Sequence, residues 1–260
     1  MEPLIAYLLG LAVAVALVTA TWLVQLATHD AGVVDAVWSA TLGLLGLLYA
    51  AVGDAPAPVR LLLAVMAGAW AFRLAAHLAL RMRGRPEDAR YAAARRAWGR
   101  RADLYMLLFF WFQAVVAWVL SLPFLVIAYR PDMPAAGWLA AAGIVWLVSV
   151  AGEALADRQL ERFRRDPANA GRVCDRGLWR YSRHPNYFFE CLHWLAYPLL
   201  AAGAPYWWAT LASPAIMAWL LLRVSGIPTV ESAEGKSRRI GYDDYVRRTS
   251  AFIPLPPKRN

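Results

Sequence analysis

Residues 176–194 combine chemically active side chains with the start of an apolar helix. Within this segment Asn186 and Glu190 are four positions apart, so a helix places both on one face, and Trp194 continues that face. An amide and a carboxylate at lipid depth are costly unless they line a polar cavity. Two interpretations stay open here: a buried polar pair in an interfacial anchor, or a ligand cavity that opens to the cytosol with basic residues at its mouth.

Other polar side chains also fall inside apolar stretches of the sequence. An acid or an arginine at such depth costs ~2.5–3.5 kcal/mol on an insertion scale, so each one needs a partner. Ion pairs that only hold a helix bundle together would explain some of them. Because six apolar stretches each contribute one such group, the pattern favours an enclosed polar site. These groups are Asp35, Arg73, Gln113, Glu153, Glu190 and Arg223.

Two basic segments that follow apolar stretches have the composition of phosphate-binding loops. In the first, Gly84 separates Arg83 from Arg85, so the backbone can approach a ligand closely, and two guanidinium groups suit phosphate oxygens. The same residues also fit an ordinary basic loop in which Asp88 caps the following helix. In the second segment, contacts with lipid headgroups would account for several of the arginines. That segment contains Arg162, Arg164, Arg165, Arg172, Arg180 and Arg183.

Several motifs of common cofactor sites are missing from the sequence. There is no G-x-G-x-x-G after a strand, no Walker loop, no H-E-x-x-H and no G-x-S-x-G. A Rossmann dinucleotide site is therefore excluded, and any cofactor must lie among helices. The two cysteines, Cys174 and Cys191, fit no zinc pattern, so we expect no metal site.

The composition is that of a multi-spanning helical membrane protein. The chain has 260 residues, of which 60% are hydrophobic. Its apolar runs recur at the length that a bilayer requires. We therefore predict a single all-α domain over residues 1–260, a bundle of seven transmembrane helices. The seven runs are 3–26, 33–53, 58–80, 104–129, 135–156, 185–203 and 205–223.

The basic residues predict the orientation of this bundle. Eight arginines lie between Arg81 and Arg101, eight lie between Arg158 and Arg183, and eight lysines or arginines lie from Arg223 onward. With seven spans, all three groups fall on one side, which the positive-inside rule makes cytosolic. The N-terminus is then outside and the C-terminus is cytosolic. The net charge of +9 is explained by this arrangement and requires no nucleic acid.

Local patterns predict two further features on the cytosolic side. The fifth helix continues beyond the membrane to Asp166 and Pro167, because polar residues follow it at helical spacing. The segment 169–177 is expected to be a loop, and residues 241–246 are expected to form a short interfacial helix. These features would place the second group of arginines directly after a transmembrane helix.

Several motifs together resemble the steroid 5α-reductase family, and more narrowly its bacterial branch. The resemblance extends from about Asp30 to Pro254. It implies seven membrane helices in the bacterial inner membrane, with NADPH bound within the bundle on the cytosolic side. It also implies reduction of the C4–C5 double bond of a 3-oxo-Δ4 steroid or a similar enone lipid, with no obligate protein partner. The motifs are Arg83-Gly84-Arg85-Pro86, residues 177–182, His184-Pro185-Asn186-Tyr187 with Glu190 and Trp194, and a tail with Tyr242, Tyr245 and Ile253-Pro254.

The resemblance assigns cofactor contacts position by position. Asn186 and Glu190 match the nicotinamide side of the cofactor site. Asp157 matches an acid of the fifth helix, and Glu153 stands where the family often has Asn. We predict the remaining cofactor contacts at Arg73, Arg83, Arg85, Arg164, Arg165, Arg172, Tyr181, His184, Trp194, Arg223, Glu231 and Tyr242.

The positions that would bind a ketone depart from the family pattern. Animal members carry a Gln-Glu pair early in the second span and a tyrosine in the third. Here the second span offers Asp35 and Trp38, and residues 69–71 are Ala-Trp-Ala. A carboxylic acid in an apolar cavity keeps its proton more readily and can polarise a ketone oxygen. We therefore predict Asp35 as the donor, Trp38 as a residue that shapes the site, and Glu190 as the catalytic residue beside the nicotinamide.

Two other classes of protein fit part of the sequence. Isoprenylcysteine methyltransferase-like proteins also carry an Arg-His-Pro-x-Tyr segment and a late Arg and Glu, which residues 183–185 with Arg223 and Glu231 would match. Their ligand, S-adenosylmethionine, has no phosphate, whereas this chain is rich in cytosolic arginine. A non-enzymatic sterol- or lipid-binding protein would explain the aromatic residues and the basic face. It would not explain why Asn186, Glu190 and Glu153 lie close to the groups of cytosolic arginines.

Overall fold

The computed structural model describes residues 1–232 and 239–258, which form helices and turns and contain no β-strand. This confirms the all-α prediction for these residues. Short 3-10 and π segments join several of the helices. The α-helices in chain order are α1 Pro3–Thr28, α2 Val33–Val52, α3 Ala57–Met82, α4 Ala89–Trp98, α5 Ala102–Leu120, α6 Leu122–Ala128, α7 Ala136–Arg165, α8 Pro185–Ala201, α9 Ala212–Trp219, α10 Ile227–Ser232 and α11 Tyr242–Arg248.

Within residues 1–232 and 239–258, six helical segments are long and apolar enough to cross a bilayer. The protein is therefore an integral membrane protein with multiple spans. The helix α8, which occupies the apolar run expected at 185–203, has 17 residues, at the lower limit for a crossing. The six segments are Pro3–Thr28, Val33–Val52, Ala57–Met82, Ala89–Ala128, Ala136–Arg165 and Trp207–Glu231.

The first of two compact units comprises Met1–Pro134 and Ala201–Ser213. Its helices α2 and α3 pack closely along small residues. A Cβ atom added to Gly43 would lie 2.3 Å from the Cβ of Ala71, so only glycine fits at this contact. Small residues of this kind let the backbones of two membrane helices approach each other.

A basic loop in the first unit leads into α4. The carboxylate of Asp88 accepts a hydrogen bond of 2.9 Å from the backbone N–H of Arg90, which confirms the predicted helix cap. Further along α4, Arg95 donates to Glu87 at 3.0 Å and to Gln25 of α1 at 2.9 Å. These bonds fix the C-terminal end of α1 and the segment just before α4 to the second half of α4.

The second unit comprises the described residues of Ala135–Leu200 and Pro214–Asn260. Its longest element, α7, runs from Ala136 to Arg165 and stops before Pro167, as the sequence predicted. Proline has no backbone N–H and disfavours helical geometry in the residue before it, which explains the end point. A loop with two short 3-10 turns then leads to α8.

The C-terminal segment of the second unit folds back on the residues that precede α8. The Tyr245 hydroxyl of α11 donates to the Trp179 carbonyl at 2.6 Å, and the Ser182 hydroxyl donates to the Phe252 carbonyl at 2.7 Å. The backbone N–H of Arg183 donates to the Ser250 carbonyl at 2.8 Å. The predicted short helix near residues 241–246 is thus confirmed as α11, and it holds the entry to α8.

Candidate functional site

The first turn of α8 presents a half-buried amide, Asn186, whose oxygen atom is buried. The Asn186 Nδ2 atom donates to Asp157 Oδ1 of α7 at 3.4 Å. Since a carboxylate oxygen can only accept, the amide NH2 group faces Asp157 and the amide oxygen points away from it. The Oδ1 atom of Asn186 is buried and has no hydrogen-bond partner within residues 1–232 and 239–258. Buried acceptors are normally paired, so the atom is suited to a ligand with an N–H or O–H donor.

The next two turns of α8 continue the polar face that the sequence predicted. Trp194 is fully buried, and its indole N–H donates to Glu190 Oε1 at 3.0 Å. This bond fixes the Glu190 carboxylate, which is 7% exposed. One turn further, the Tyr197 hydroxyl and His193 Nε2 lie 2.9 Å apart. Asn186, Glu190 and Trp194 therefore form a rigid polar line along the helix.

Two acids of α7 are also buried in the second unit. Glu153 and Asp157 are four positions apart on one face of the helix and are 4% and 9% exposed. Carboxylates are rarely buried to this extent without a specific role in binding or ion pairing. Their burial supports the sequence prediction that both belong to a site rather than to the solvated surface.

A close contact between α7 and α8 sets the position of these groups. The ring of Phe189 lies against the backbone of Gly152, and a Cβ atom added there would come within 2.4 Å of the ring. Only glycine leaves room for the ring, because any side chain would displace it. Gly152 therefore permits the approach that brings Asn186 within reach of Asp157.

Two of the predicted cofactor residues, His184 and Glu231, contact each other. Glu231 Oε1 lies 2.9 Å from His184 Nε2 and 2.9 Å from Arg183 Nε. Arg183 also donates to the carbonyl oxygens of Val246 and Thr249, at 3.1 and 3.0 Å. Because these bonds join the start of α8, α10 and α11, we call these five residues the C-terminal clip.

The remaining predicted residues of the second unit lie nearer to solvent. Arg165 forms a 2.6 Å ion pair with Glu161 in which both side chains are well exposed. The half-buried Tyr242 has a raised pKa, first because of burial and then because of the negative charge of Glu231. The other predicted residues with exposed side chains are Arg164, Arg172, Tyr181 and Arg223.

In the first unit, Asp35 belongs to a small network with α4. Its carboxylate accepts a 2.8 Å hydrogen bond from Arg90 Nη2 and a 2.6 Å hydrogen bond from the Tyr91 hydroxyl. The contact of Tyr91 with Asp35 was not predicted, because the family pattern places its tyrosine near residues 69–71. No local pattern links Tyr91 to Asp35, which is 56 positions earlier in the chain.

The other predicted residues of the first unit take different environments. The indole N–H of Trp38 donates to the Gln113 carbonyl of α5 at 3.1 Å, so this side chain has a fixed orientation. Arg73 is half-buried on α3. Arg83 and Arg85 are exposed on either side of Gly84, whose φ of +68° is a left-handed conformation that glycine adopts without strain.

Comparison with known proteins identifies one family. Searches of curated proteins and of solved structures found no match. A family model described as a protein of unknown function, DUF1295, matches residues 21–249. This range includes the basic loop, α7, α8 and α11, and therefore every group described above. Because the match extends over most of its length, the chain belongs to the DUF1295 family.

Proposed function

We propose that this protein is an NADPH-dependent reductase that saturates a carbon–carbon double bond conjugated to a ketone in an apolar substrate. A 3-oxo-Δ4 steroid is the substrate class that the sequence resemblance suggests. The proposal includes a bundle of seven spans, with α8 as the additional span, the N-terminus outside and the C-terminus cytosolic. A bacterial inner membrane is the expected location.

The buried amide oxygen of Asn186 is the observation that carries this proposal. A primary carboxamide, such as that of nicotinamide, offers the N–H donor that this acceptor requires. Asp157 holds the amide in the orientation that presents the oxygen. A site that contained only acids would favour a cation. Here the Asn186 amide, oriented by Asp157, instead offers a neutral acceptor for an N–H donor.

The arginines of the second unit support a cofactor that carries phosphate. Arg164 and Arg172 are exposed, and guanidinium groups form strong hydrogen bonds with phosphate oxygens. A dinucleotide with a 2′-phosphate needs several such groups. S-adenosylmethionine needs none, since it has no phosphate.

Bound NADPH would supply the hydride for the reduction. The protein residues would then orient groups and direct a proton. Asp157 orients the Asn186 amide, and Trp194 orients the Glu190 carboxylate. In the first unit, the Asp35 carboxylate accepts hydrogen bonds from Arg90 and from the Tyr91 hydroxyl, so the proton available for a carbonyl oxygen is that of Tyr91. We therefore propose Tyr91 as the donor, in place of the donor role predicted for Asp35, with Asp35 as the residue that orients its hydroxyl.

Three of the residues on which the methyltransferase alternative depends already have structural partners. Glu231 binds both Arg183 and His184, and Arg183 also binds the backbone of the C-terminal segment. Their presence is thus explained by the C-terminal clip, without a methyl donor. This removes one argument for the methyltransferase, while the argument for the reductase depends on Asn186 and on the exposed arginines.

A ligand test and an activity test examine the proposal. Equal concentrations of NADPH, NADH and S-adenosylmethionine should be ranked by the increase in Tm that they cause, since only a ligand of the folded state stabilises it. Purified protein should then be assayed for NADPH oxidation with a panel of 3-oxo-Δ4 steroids and non-steroidal enones. We expect the largest shift with NADPH and a product with two more hydrogen atoms. A shift with S-adenosylmethionine alone would reject the reductase.

A further inference from the structure

A second candidate site lies in the second unit, where the end of α7 meets the loop that follows it. It is a cleft with a volume of about 500 Å³. Three arginines line it, Arg158, Arg162 and Arg176, together with the apolar side chains of Leu155 and Phe163. None of these five residues belongs to the cofactor site proposed above.

The cleft and the cofactor site lie on different faces of α7. An α-helix turns by about 100° per residue. Arg162 is nine positions after Glu153, which corresponds to a rotation of about 180°. Arg162 therefore points away from Glu153, Arg158 is about 140° from Glu153 around the helix, and Arg176 lies in the loop after α7. These arginines require a separate explanation.

An exposed apolar stripe on α7 leads directly to this cleft. Ile144, Leu147, Val148 and Leu155 are 61%, 61%, 51% and 48% exposed, and their spacing places them on one helix face. Arg158 follows Leu155 by three positions on the same face. Because α7 is long and apolar enough to cross a bilayer, hydrocarbon chains are the natural neighbours of the stripe.

The charges of the cleft favour an anionic ligand. Among the residues that the structure describes, no ion pair engages Arg158, Arg162 or Arg176. The guanidinium of Arg176 lies over the Phe163 ring, 5.9 Å from its centroid. One acid, Asp166, also lines the cleft, and its Oδ1 accepts a hydrogen bond from the Ala168 N–H. Three guanidinium groups against one carboxylate leave an excess of positive charge.

We propose that the cleft binds the phosphate headgroup of an anionic glycerophospholipid, with an acyl chain along the apolar stripe of α7. Guanidinium groups suit a phosphodiester, and basic pockets at the cytosolic ends of membrane helices are typical sites for such headgroups. A zwitterionic lipid has the same phosphate but also a cation, which three arginines would repel. The site does not depend on the reductase activity.

The test compares two triple variants of the full-length protein by native mass spectrometry in detergent. R158Q/R162Q/R176Q removes the cleft arginines, and R96Q/R100Q/R101Q removes three exposed arginines of the first unit as a charge-matched control. Each is titrated with dioleoylphosphatidylglycerol and with dioleoylphosphatidylcholine. Since each arginine near an anionic lipid contributes about a fivefold factor, we expect the cleft variant to lose at least about tenfold in phosphatidylglycerol affinity.

The control variant should retain its phosphatidylglycerol affinity within about twofold. Equal loss of phosphatidylglycerol affinity in both variants would overturn the proposal, since it would show a diffuse attraction of the lipid to any basic surface.

Inorganic phosphate and NADPH are titrated in parallel. If either binds the cleft as tightly as the lipid does and loses affinity in the cleft variant, the site is one for a soluble anion. Should the triple variant fail to fold, R162Q alone is expected to lose about fivefold, and unchanged lipid affinity in R162Q would overturn the proposal.

Discussion

The amide nitrogen of Asn186 lies 3.4 Å from a carboxylate oxygen of Asp157, and this contact joins α8 to α7. It determines which end of the amide faces the acid and which end is presented to a ligand. A buried acceptor is thereby held in place without a partner from the described part of the protein. The first two predictions follow from this arrangement.

Replacement of Asn186 by leucine should weaken NADPH binding. Leucine has a similar volume but cannot accept a hydrogen bond, and a lost buried hydrogen bond corresponds to about a tenfold rise in Kd. D157N should have a smaller effect, because an amide at position 157 still bonds to Asn186 but no longer fixes its orientation. Kd is measured by quenching of tryptophan fluorescence on NADPH addition. Equal affinity for NADPH in N186L and the wild type would contradict the assignment.

Replacement of Gly152, which packs against Phe189, by leucine should lower the affinity for NADPH although Gly152 itself does not contact the cofactor. In G152L the new side chain must displace the Phe189 ring, so α8 moves and Asn186 loses its contact with Asp157. Loss of this hydrogen-bonded position should raise the Kd for NADPH at least tenfold, which corresponds to about 1.4 kcal/mol of binding free energy. The matched control is G143L on the same helix, since a Cβ at Gly143 meets no atom within 4 Å. Similar losses in both variants would show a general effect of leucine on the helix.

Substitution of Asp35 by asparagine should lower turnover while NADPH binding persists. In D35N the Tyr91 hydroxyl loses the carboxylate that orients it, and a correctly placed proton donor contributes roughly 10²–10⁴ to a rate, so we expect at least a hundredfold drop in enone-dependent NADPH oxidation. Y91F should also lower turnover, since it removes the hydroxyl that bonds to Asp35. NADPH binding is measured on the same samples. Full turnover in D35N would remove Asp35 from the mechanism.

Features that depend on neighbouring residues were predictable from the sequence. The end of α7 before Pro167 and the cap by Asp88 follow from local backbone chemistry, and the shared face of Asn186 and Glu190 follows from helical periodicity. These predictions needed only the order of residues along one helix.

Contacts between residues far apart in the chain were not predictable in this way. Tyr91 meets Asp35 across 56 positions, and Arg183 meets the carbonyl of Thr249 across 66 positions. Each contact depends on the packing of several helices, which no local spacing encodes. For the same reason, the sequence did not indicate the ion pair of Glu231 with Arg183, and the role of Glu231 in ligand binding stays a prediction.

Loss of the Glu231 carboxylate should destabilise the folded protein. In E231Q the Arg183 guanidinium, which is 13% exposed in its side chain, keeps two carbonyl acceptors but loses its counter-charge. We expect a loss of about 2 kcal/mol in the free energy of unfolding, less than for a fully buried pair. The control E161Q breaks the exposed pair with Arg165 and should cost less than about 0.5 kcal/mol. Denaturant titration of both variants measures the difference, and equal costs would contradict a structural role for the clip.

The contribution of Glu87 to stability should depend on pH in a defined direction. Burial raises the pKa of this carboxyl, but hydrogen bonds from the Arg95 side chain and the Ala31 N–H outweigh it, so the pKa in the folded protein lies below the ordinary value of 4.5. A group whose pKa is lowered by folding stabilises the protein fully above its unfolded pKa. That stabilisation is lost as the pH falls through the folded pKa.

We therefore expect E87Q to have a lower Tm than the wild type, by a constant amount between about pH 7 and pH 5.5. Below the ordinary value of 4.5 the gap should narrow, because the wild-type carboxylate then takes up a proton and loses its ion pair with Arg95. Tm is measured for both proteins in one detergent across this pH range. A gap that widens on acidification would mean that folding raises the pKa of Glu87, and it would contradict the network that joins α1, the basic loop and α4.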